Sequence, residues 1–295
     1  MDCDVAVIGA GPAGIQAAIH SSRKKAATIV IGKASGSAVT GTRIGNYFGT
    51  GEVLGEDMLA HGRAQAESTG ARFVEENVIS AMAGDGSFVL GLESGETVNA
   101  KAVILATGIS RMKLNVPGEK ELFGKGVSYC AVCDCNFYRG KRAVIVGNDS
   151  EAAVSAELMT GYASETHWAF WDLKANDALV SKARAAGVTF HESRPSAIEG
   201  GDRVTSISLE DGTSIQTDGV FIELGAKSAA DLALDLGAMP ELDDTIKVDG
   251  SCCCVGVPGL FACGDVTGKP WQVAKAVGQG CIAGMSAADY ARGIE

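Results

Sequence analysis

Short apolar runs, glycine turns and helical stretches alternate along this chain, and the first such unit is the clearest. Residues 4–8 (Asp-Val-Ala-Val-Ile) are apolar after the first position, as a buried strand requires. Gly9-Ala10-Gly11-Pro12-Ala13-Gly14 follows at once, and residues 13–20 take helical spacing. Residues 27–31 then fit the parallel partner of a βαβ unit. Residues 101–108 predict another buried strand ending in a glycine turn, and 111–118 a polar linker with one Pro. The opening theme then returns, with Gly147 standing 138 residues after Gly9. It comprises a strand over 143–146, a turn at Gly147 and a helix from about Ser150. Strands over 166–170, 188–191, 205–209 and 220–224 alternate with polar turns. A third portion, from about Ala226, ends in Phe261-Ala262-Cys263-Gly264-Asp265 and a final helix from about Gln272. The fold class predicted is α/β, with two Rossmann-like nucleotide-binding domains. The first (1–110 and 223–295, in three ββα layers) is discontinuous, with the second (111–222) inserted into it.

Strand, glycine turn and helix together are the context in which a dinucleotide fingerprint has physical meaning. Gly9 makes the tight turn, Gly11 lets backbone approach a pyrophosphate, and Gly14 permits close helix–strand packing. The helix N-terminus adds free N–H groups and a partial positive charge. One expected feature is missing. An acid near the end of the second strand would grip a ribose hydroxyl, yet the chain reads Ile31-Gly32-Lys33.

Composition narrows the class further. The 295 residues are 46% hydrophobic and 21% charged, with 39 Gly and 6 Pro, which excludes disordered, collagenous and disulfide-scaffold classes. Lys plus Arg number 25 against 36 Asp plus Glu, a net charge of −11 that argues against a nucleic-acid or anionic-membrane partner. The basic cluster Arg23-Lys24-Lys25 reads as a solvated helix end. No run approaches the roughly 20 apolar residues of a membrane span. The acidic start Met1-Asp2-Cys3-Asp4 is unlike a secretory signal, and nine Cys are too sparse for a secreted scaffold. The expected compartment is the reducing cytoplasm.

Cys130-Ala131-Val132-Cys133 carries the clearest chemistry. Two Cys at this spacing close a small reversible disulfide, and a helix's first turn lowers a thiol pKa. Asp134 follows directly and can carry the proton that thiol–disulfide exchange must move. No second CxxC completes a zinc site. Cys130, Cys133 and Cys135 with Cys252-Cys253-Cys254 and Cys263 match neither ferredoxin spacing of an iron–sulfur cluster. Cys135 and the run Cys252-Cys253-Cys254 read as small buried residues.

With these residues in view, the whole chain resembles the low-molecular-weight thioredoxin reductases. The resemblance rests on Gly9–Gly14, Ala106-Thr107-Gly108, Cys130–Asp134, Phe137-Tyr138-Arg139, Phe261–Val266, and Gln272-Val273-Ala274 through Gly278-Gln279-Gly280. It implies an FAD domain interrupted by a pyridine-nucleotide domain. Gly9, Gly11, Pro12, Ala13, Gly14, Ala106, Thr107, Gly108 and Gly264 would then frame FAD. Asp265 would hold the ribityl chain, and Asn46, Gln272 and Val273 would lie along the isoalloxazine. Cys133 would face the flavin, Cys130 would attack the substrate disulfide, and Asp134 would be the acid/base. The resemblance also implies a homodimer, a thioredoxin-like partner, and rotation of the inserted domain on connectors near 108–118 and 222–226.

The departures concern the second nucleotide site. Where the family reads GxGxxA, this chain has Gly147-Asn148-Asp149-Ser150-Glu151-Ala152. Asp149 occupies the glycine position at which backbone meets pyrophosphate, and like charges a few ångström apart repel by roughly 1–4 kcal/mol. Where the family reads HRR, with arginines for the 2′-phosphate of NADPH, this chain has Phe170-Trp171-Asp172. The expectation is a disulfide reductase fed by a ferredoxin-like protein or a reduced deazaflavin rather than NADPH. The segment Lys269-Pro270-Trp271-Gln272 resembles that of such atypical members, with Trp271 either stacking near the flavin or packing in the core. A flavin-dependent dithiol oxidase, an ordinary NAD(P)H-driven enzyme and a non-catalytic flavin redox sensor are the alternatives.

Overall fold

The computed structural model describes residues 1–108 and 113–293. Arg111 and Met112 of the expected linker and hinge lie outside the described residues. The chain divides into two compact units, Met1–Ser110 with Ser228–Glu295, and Arg111–Lys227. The second junction falls five residues past the expected 222.

The N-terminal segment supplies β1 (Asp2–Ile8), α1 (Pro12–Arg23), β2 (Thr28–Ile31), the short pair β3 (Arg43–Ile44) and β4 (Val53–Leu54), α2 (Gly55–Ser68), β5 (Arg72–Val74), β6 (Val78–Ala83), β7 (Phe88–Leu92) and β8 (Thr97–Leu105). The inserted unit supplies β9 (Val127–Ser128), α3 (Ala131–Asp134), β10 (Arg142–Val146), α4 (Ser150–Thr160), β11 (Glu165–Phe170), α5 (Asp177–Ala185), β12 (Thr189–Glu192), β13 (Pro195–Gly200), β14 (Val204–Leu209), β15 (Ser214–Gln216) and β16 (Gly219–Ile222). The chain then returns through α6 (Ala229–Asp235), β17 (Leu260–Ala262) and α7 (Val273–Ala291) to the first unit.

In the first unit the strands run in the order β5-β2-β1-β8-β7-β6, with β17 also on β8. Strand β8 lies beside β1 along most of its length, and its other neighbour changes partway from β7 to β17. Its first half alternates exposed and buried residues and pairs antiparallel with β7. Its second half, Ala102–Leu105, is buried throughout and pairs parallel with β1 and β17. A strand covered on both faces needs such an unbroken apolar run. Val5 and Val7 of β1 face a core shared with α1 and α7, whereas Ala6 and Ile8 face one shared with β7 and α6. These are the three layers. Helices α1 and α7 approach closely because α7 carries glycines at the contact; a Cβ on Gly280 would lie 2.3 Å from the carbonyl oxygen of Ala13.

The inserted unit holds a fully parallel sheet, β12-β11-β10-β16-β9, beside the antiparallel β13-β14-β15. Its core joins Val144 and Val146 of β10 and Val220 and Ile222 of β16 to Ile207 and Leu209 of β14. Leu114, in the expected linker, is buried in that core. It is part of the inserted unit because the Glu119 carboxylate accepts the N–H groups of Leu114, Asn115 and Val116.

Candidate active site and nucleotide cradles

In open α/β sheets ligands bind beyond the carboxyl ends of the strands. In the first unit those ends are tied together by backbone bonds: Gly9 N–H to Ile31, Ala106 N–H to Ile8, and Cys263 N–H to Leu105. Gly9 has φ +117°, and a Cβ there would sit 2.2 Å from the Ala106 oxygen. A Cβ on Gly14 would sit 1.9 Å from the Gly9 oxygen. Gly11, the N-cap of α1, is different: its Cβ would meet only Ser37 Oγ, at 3.3 Å, so the fold leaves open space there. Pro12 begins the helix and Ala13 is buried behind it. Gly108 has φ +82°.

Two polar atoms at these strand ends are buried without a hydrogen-bond partner, Thr107 Oγ1 and Asp265 Oδ1. Such groups are costly unless a ligand satisfies them. Burial also raises the Asp265 carboxyl above its usual range, against the opposing pull of Lys275. Lys275 donates to the carbonyls of Gly264 and Gly268, and Gln279 Oε1 accepts from the Gly264 N–H at 2.9 Å, so the turn carrying Asp265 is held at both ends. At the start of α7, Asn46 Nδ2 donates to Gln272 Oε1 at 2.9 Å, bringing together residues 226 apart in sequence. Val273 opens the helix. Trp271 is 50% exposed with Lys269 Nζ 5.2 Å from its ring centre, so core packing is not its role. A cavity of about 360 Å³ continues past Ala10 and Gly32 and is lined by Ile15, Glu56 and Arg63 among others. No acid stands beside Gly32 in the sequence; the cavity's carboxylate is Glu56. That carboxylate comes from the start of α2, after a loop whose path no periodicity reveals.

The cysteine pair is bridged. Cys130 caps α3, its Sγ accepts the N–H of Cys133 at 3.1 Å, and the two Cα atoms are 5.4 Å apart. Cys130 is 6% exposed, whereas Cys133 faces solvent and Asp134 is half-buried in the same turn. The buried Glu223 carboxylate accepts from the Ala131 N–H at 2.8 Å and from Ser155 Oγ at 3.3 Å, linking the cysteine helix to α4. Among the remaining cysteines, Cys135 and Cys253 are buried as expected, and Cys263 is buried as well. Cys252 and Cys254 are not: they are half-buried and bridged to each other. A left-handed backbone at Cys253, φ +59°, turns its neighbours' side chains to one side.

The second nucleotide turn keeps the tight glycine and little else. A Cβ on Gly147 would lie 2.0 Å from the Glu223 oxygen. Asp149 caps α4 in extended conformation, as Gly11 caps α1. Glu151, in the first turn, is buried. The segment after β11 folds back over this turn. Asn148 Oδ1 accepts from the N–H groups of Trp171 (3.0 Å) and Asp172 (3.4 Å), its carbonyl accepts from Lys174, and Ser150 Oγ accepts from Asn176 N–H at 3.1 Å. Asp172 pairs with Lys174 at 2.6 Å, and Arg194 lies 5.3 Å from the Trp171 ring centre.

Known proteins match this arrangement along nearly its whole length. The family profile for pyridine nucleotide-disulphide oxidoreductases covers residues 3–280. The thioredoxin reductase of Listeria innocua is 33% identical over 97% of this chain and 93% of its own, and that of Bacillus subtilis 31% identical over 99% and 96%. An atypical thioredoxin reductase from Desulfovibrio vulgaris Hildenborough superposes with a TM-score of 0.85 at 33% identity, covering 98% of both chains. A ferredoxin-flavin thioredoxin reductase from Clostridium acetobutylicum gives 0.70 at 30% identity over 99% of this chain and 98% of its own. The chain belongs to the pyridine nucleotide-disulphide oxidoreductase family, among its FAD-binding thioredoxin reductases.

Proposed function

We propose that this thioredoxin reductase draws its electrons from a donor other than NADPH. The observation that carries the reading is the second nucleotide turn, where Asp149 takes the N-cap position that Gly11 holds in the first unit and the segment after β11 is bonded back onto Asn148 and Ser150. Asp149 stands where pyrophosphate would approach, and Asp172 where a 2′-phosphate would need a cation. NADH needs no grip on a 2′-phosphate but shares the pyrophosphate that Asp149 opposes. A ferredoxin-flavin enzyme among the similar structures supports a ferredoxin-like protein as donor, with a reduced deazaflavin as the other candidate.

In this reading Gly9, Gly11, Pro12, Ala13 and Gly14 cradle the FAD pyrophosphate, with Ala106, Thr107, Gly108 and Gly264 completing the floor. Asp265 and Thr107 turn their unpartnered oxygens to the cofactor. Asn46, Gln272 and Val273 border the ring system, and Glu56 supplies the ribose-binding carboxylate missing from the end of β2. Bound FAD supplies the redox step that converts the donor's electrons into reduction of a disulfide. The Cys130–Cys133 bridge takes up two electrons and two protons as it opens, with Asp134 handling a proton. Cys130 then attacks a thioredoxin-like disulfide and Cys133 resolves the mixed disulfide. Cys130 is covered in the state observed, so this attack requires its exposure. A homodimer completes the proposed assembly.

The test is the absorbance of the oxidised flavin band in purified holoenzyme without oxygen. Stoichiometric NADPH and then NADH should leave it unchanged, and reduced ferredoxin or a photoreduced deazaflavin should bleach it within seconds. Prompt bleaching by NADPH would overturn the proposal.

A further inference from the structure

The proposed reduction uses one cysteine pair, yet a second bridged pair lies in the other unit. Cys252 and Cys254 flank a single residue, with Cα atoms 5.3 Å apart, inside the range that a disulfide spans. Both are half-buried, in contrast to the buried Cys253 between them. Their arrangement follows from local structure. Asp249 Oδ1 accepts from the N–H and Oγ of Ser251, and the Asp249 carbonyl accepts from Cys253 N–H at 2.7 Å, making a tight turn. The Cys253 carbonyl accepts from Ala262 N–H at 3.0 Å, and Cys254 bridges to Phe261, fixing the turn on β17. Cys253 is thereby buried against α7, where its Sγ lies 3.7 Å from the Gln279 carbonyl. Burial pushes its thiol up to about 11 and raises that of Cys263 as well, so both are poor nucleophiles at neutral pH. Three neighbouring cysteines thus divide into one buried thiol and two half-buried, bridged sulfurs.

We propose that Cys252–Cys254 is a second thiol–disulfide exchange site, which equilibrates with dithiols of the kind this enzyme generates. The exchange is balanced within itself. A thiolate of the dithiol attacks one sulfur of the pair, breaking the Cys252–Cys254 bond and forming a mixed disulfide. The released cysteine takes a proton. The second thiol of the reagent then displaces the remaining cysteine, so the reagent is oxidised by two electrons and the pair reduced by two. Cys254 N–H points at Cys252 Sγ at 3.3 Å, a contact that stabilises Cys252 as the departing thiolate. The site has a structural link to the proposed cofactor cradle. The strand it is fixed to leads directly into Gly264-Asp265, and Gln279, which receives Cys253, also holds the Gly264 N–H.

The proposal rests on the disulfide-reductase reading only for the source of the dithiol, and its test does not depend on turnover. The Cys130→Ser/Cys133→Ser variant, loaded with FAD, is equilibrated without oxygen in graded ratios of reduced to oxidised dithiothreitol. It is then quenched in denaturing acid, alkylated and digested with trypsin. The peptide over residues 248–275 contains four cysteines, Cys252, Cys253, Cys254 and Cys263. Expected is a single reversible step from two labels to four. Adding Cys253→Ser should give a step from one label to three. Adding Cys252→Ser should remove the step and leave three labels throughout. Four labels at every ratio would mean that the pair never forms. Two labels even in fully reduced buffer would mean an inert structural bridge. Loss of the step in the Cys253→Ser variant would mean a different pairing. Each of these three results overturns the proposal, while failure to reduce thioredoxin in the parent enzyme bears only on the reductase reading.

Discussion

The backbone N–H of Trp171 donates to Asn148 Oδ1 at 3.0 Å, closing the second nucleotide turn from inside the chain. In the first unit the equivalent turn is open. Gly11 has no comparable neighbour, and Thr107 Oγ1 and Asp265 Oδ1 stay unsatisfied. Two copies of one supersecondary unit have thus diverged: the first leaves space at the glycine that caps its helix, and the second puts Asp149 there, with the following segment bonded back onto Asn148 and Ser150.

That divergence should be reversible by three substitutions. Asp149→Gly removes the charge opposed to pyrophosphate, and Trp171→Arg with Asp172→Arg restores two cations. A hydrogen bond to a charged group contributes about 1.5–3 kcal/mol, so two arginines should tighten NADPH binding by roughly 10² or more. The triple variant should show NADPH-dependent flavin bleaching that is absent from the parent, with a much smaller gain for NADH. Equal bleaching of parent and variant would remove the argument from these residues.

Gly11 and Gly14 separate the cofactor's demands from those of the fold. A Cβ at Gly14 meets the Gly9 oxygen at 1.9 Å, so Gly14→Ala should destabilise the protein by about 1–3 kcal/mol or more even without FAD. A Cβ at Gly11 meets only Ser37 Oγ at 3.3 Å. Gly11→Ala should therefore keep the apoprotein's melting temperature within a few degrees while weakening FAD binding at least about tenfold, because the methyl stands between the helix N-terminus and the phosphates. Flavin content after gel filtration, beside thermal melts of apoprotein, reads both. Full FAD occupancy in Gly11→Ala would exclude pyrophosphate from that turn.

Much of this was legible in the chain because local pattern and tertiary role coincide. The unbroken apolar run of β1 predicts a strand buried on both faces, and Gly9 and Gly147 mark turns that in fact have carbonyl oxygens where a Cβ would go. Asp149 and Asp172 raise the expectation of lost phosphate binding by charge alone. What stayed hidden depends on contacts between residues distant in sequence. Glu56 lines the cavity beside Gly32 only because the loop before α2 returns to the end of β2. The hydrogen bonds that bring residues 171–176 back over Asn148 leave no periodic trace. Cys252 and Cys254 read as buried because a run of three cysteines looks uniform, whereas the positive φ of Cys253 divides their environments.

Asp134 should affect chemistry rather than assembly. It lies in the same turn as Cys133, where opening of the bridge requires proton movement. Asp134→Asn keeps shape and removes the titrating carboxylate. Turnover with thioredoxin should fall by about 10²-fold or more, at unchanged flavin content. Pre-steady-state mixing locates the loss: dithiol formation or mixed-disulfide resolution should slow, and donor oxidation should not. An unaltered turnover number would exclude Asp134 as the acid/base.

A pair of histidines should give the inserted unit a distinctive acid sensitivity. His167 Nδ1 and His191 Nε2 lie 3.0 Å apart across β11 and β12. Burial lowers both pKa values. Glu165 opposes the shift at His167 while Arg142 adds to it, and at His191 the His167 charge adds to it while Asp211 opposes it. The fold therefore favours neutral imidazoles. Below the unfolded value of about 6.5 the unfolded chain binds more protons than the folded one, so stability falls as pH falls from there toward the lowered folded values. Asp211 and Asp218, whose carboxyls are held below their usual range, remain ionised across that window and contribute no slope. His20 in the first unit shifts the same way, so the comparison must be between variants. The melting temperature should drop between pH 7 and pH 5 in the parent. The drop should be smaller in a His167→Gln/His191→Gln double variant, whose amides retain hydrogen bonding without titrating. Equal slopes in the two proteins would show that both histidines are charged at no cost in the fold, contrary to their burial.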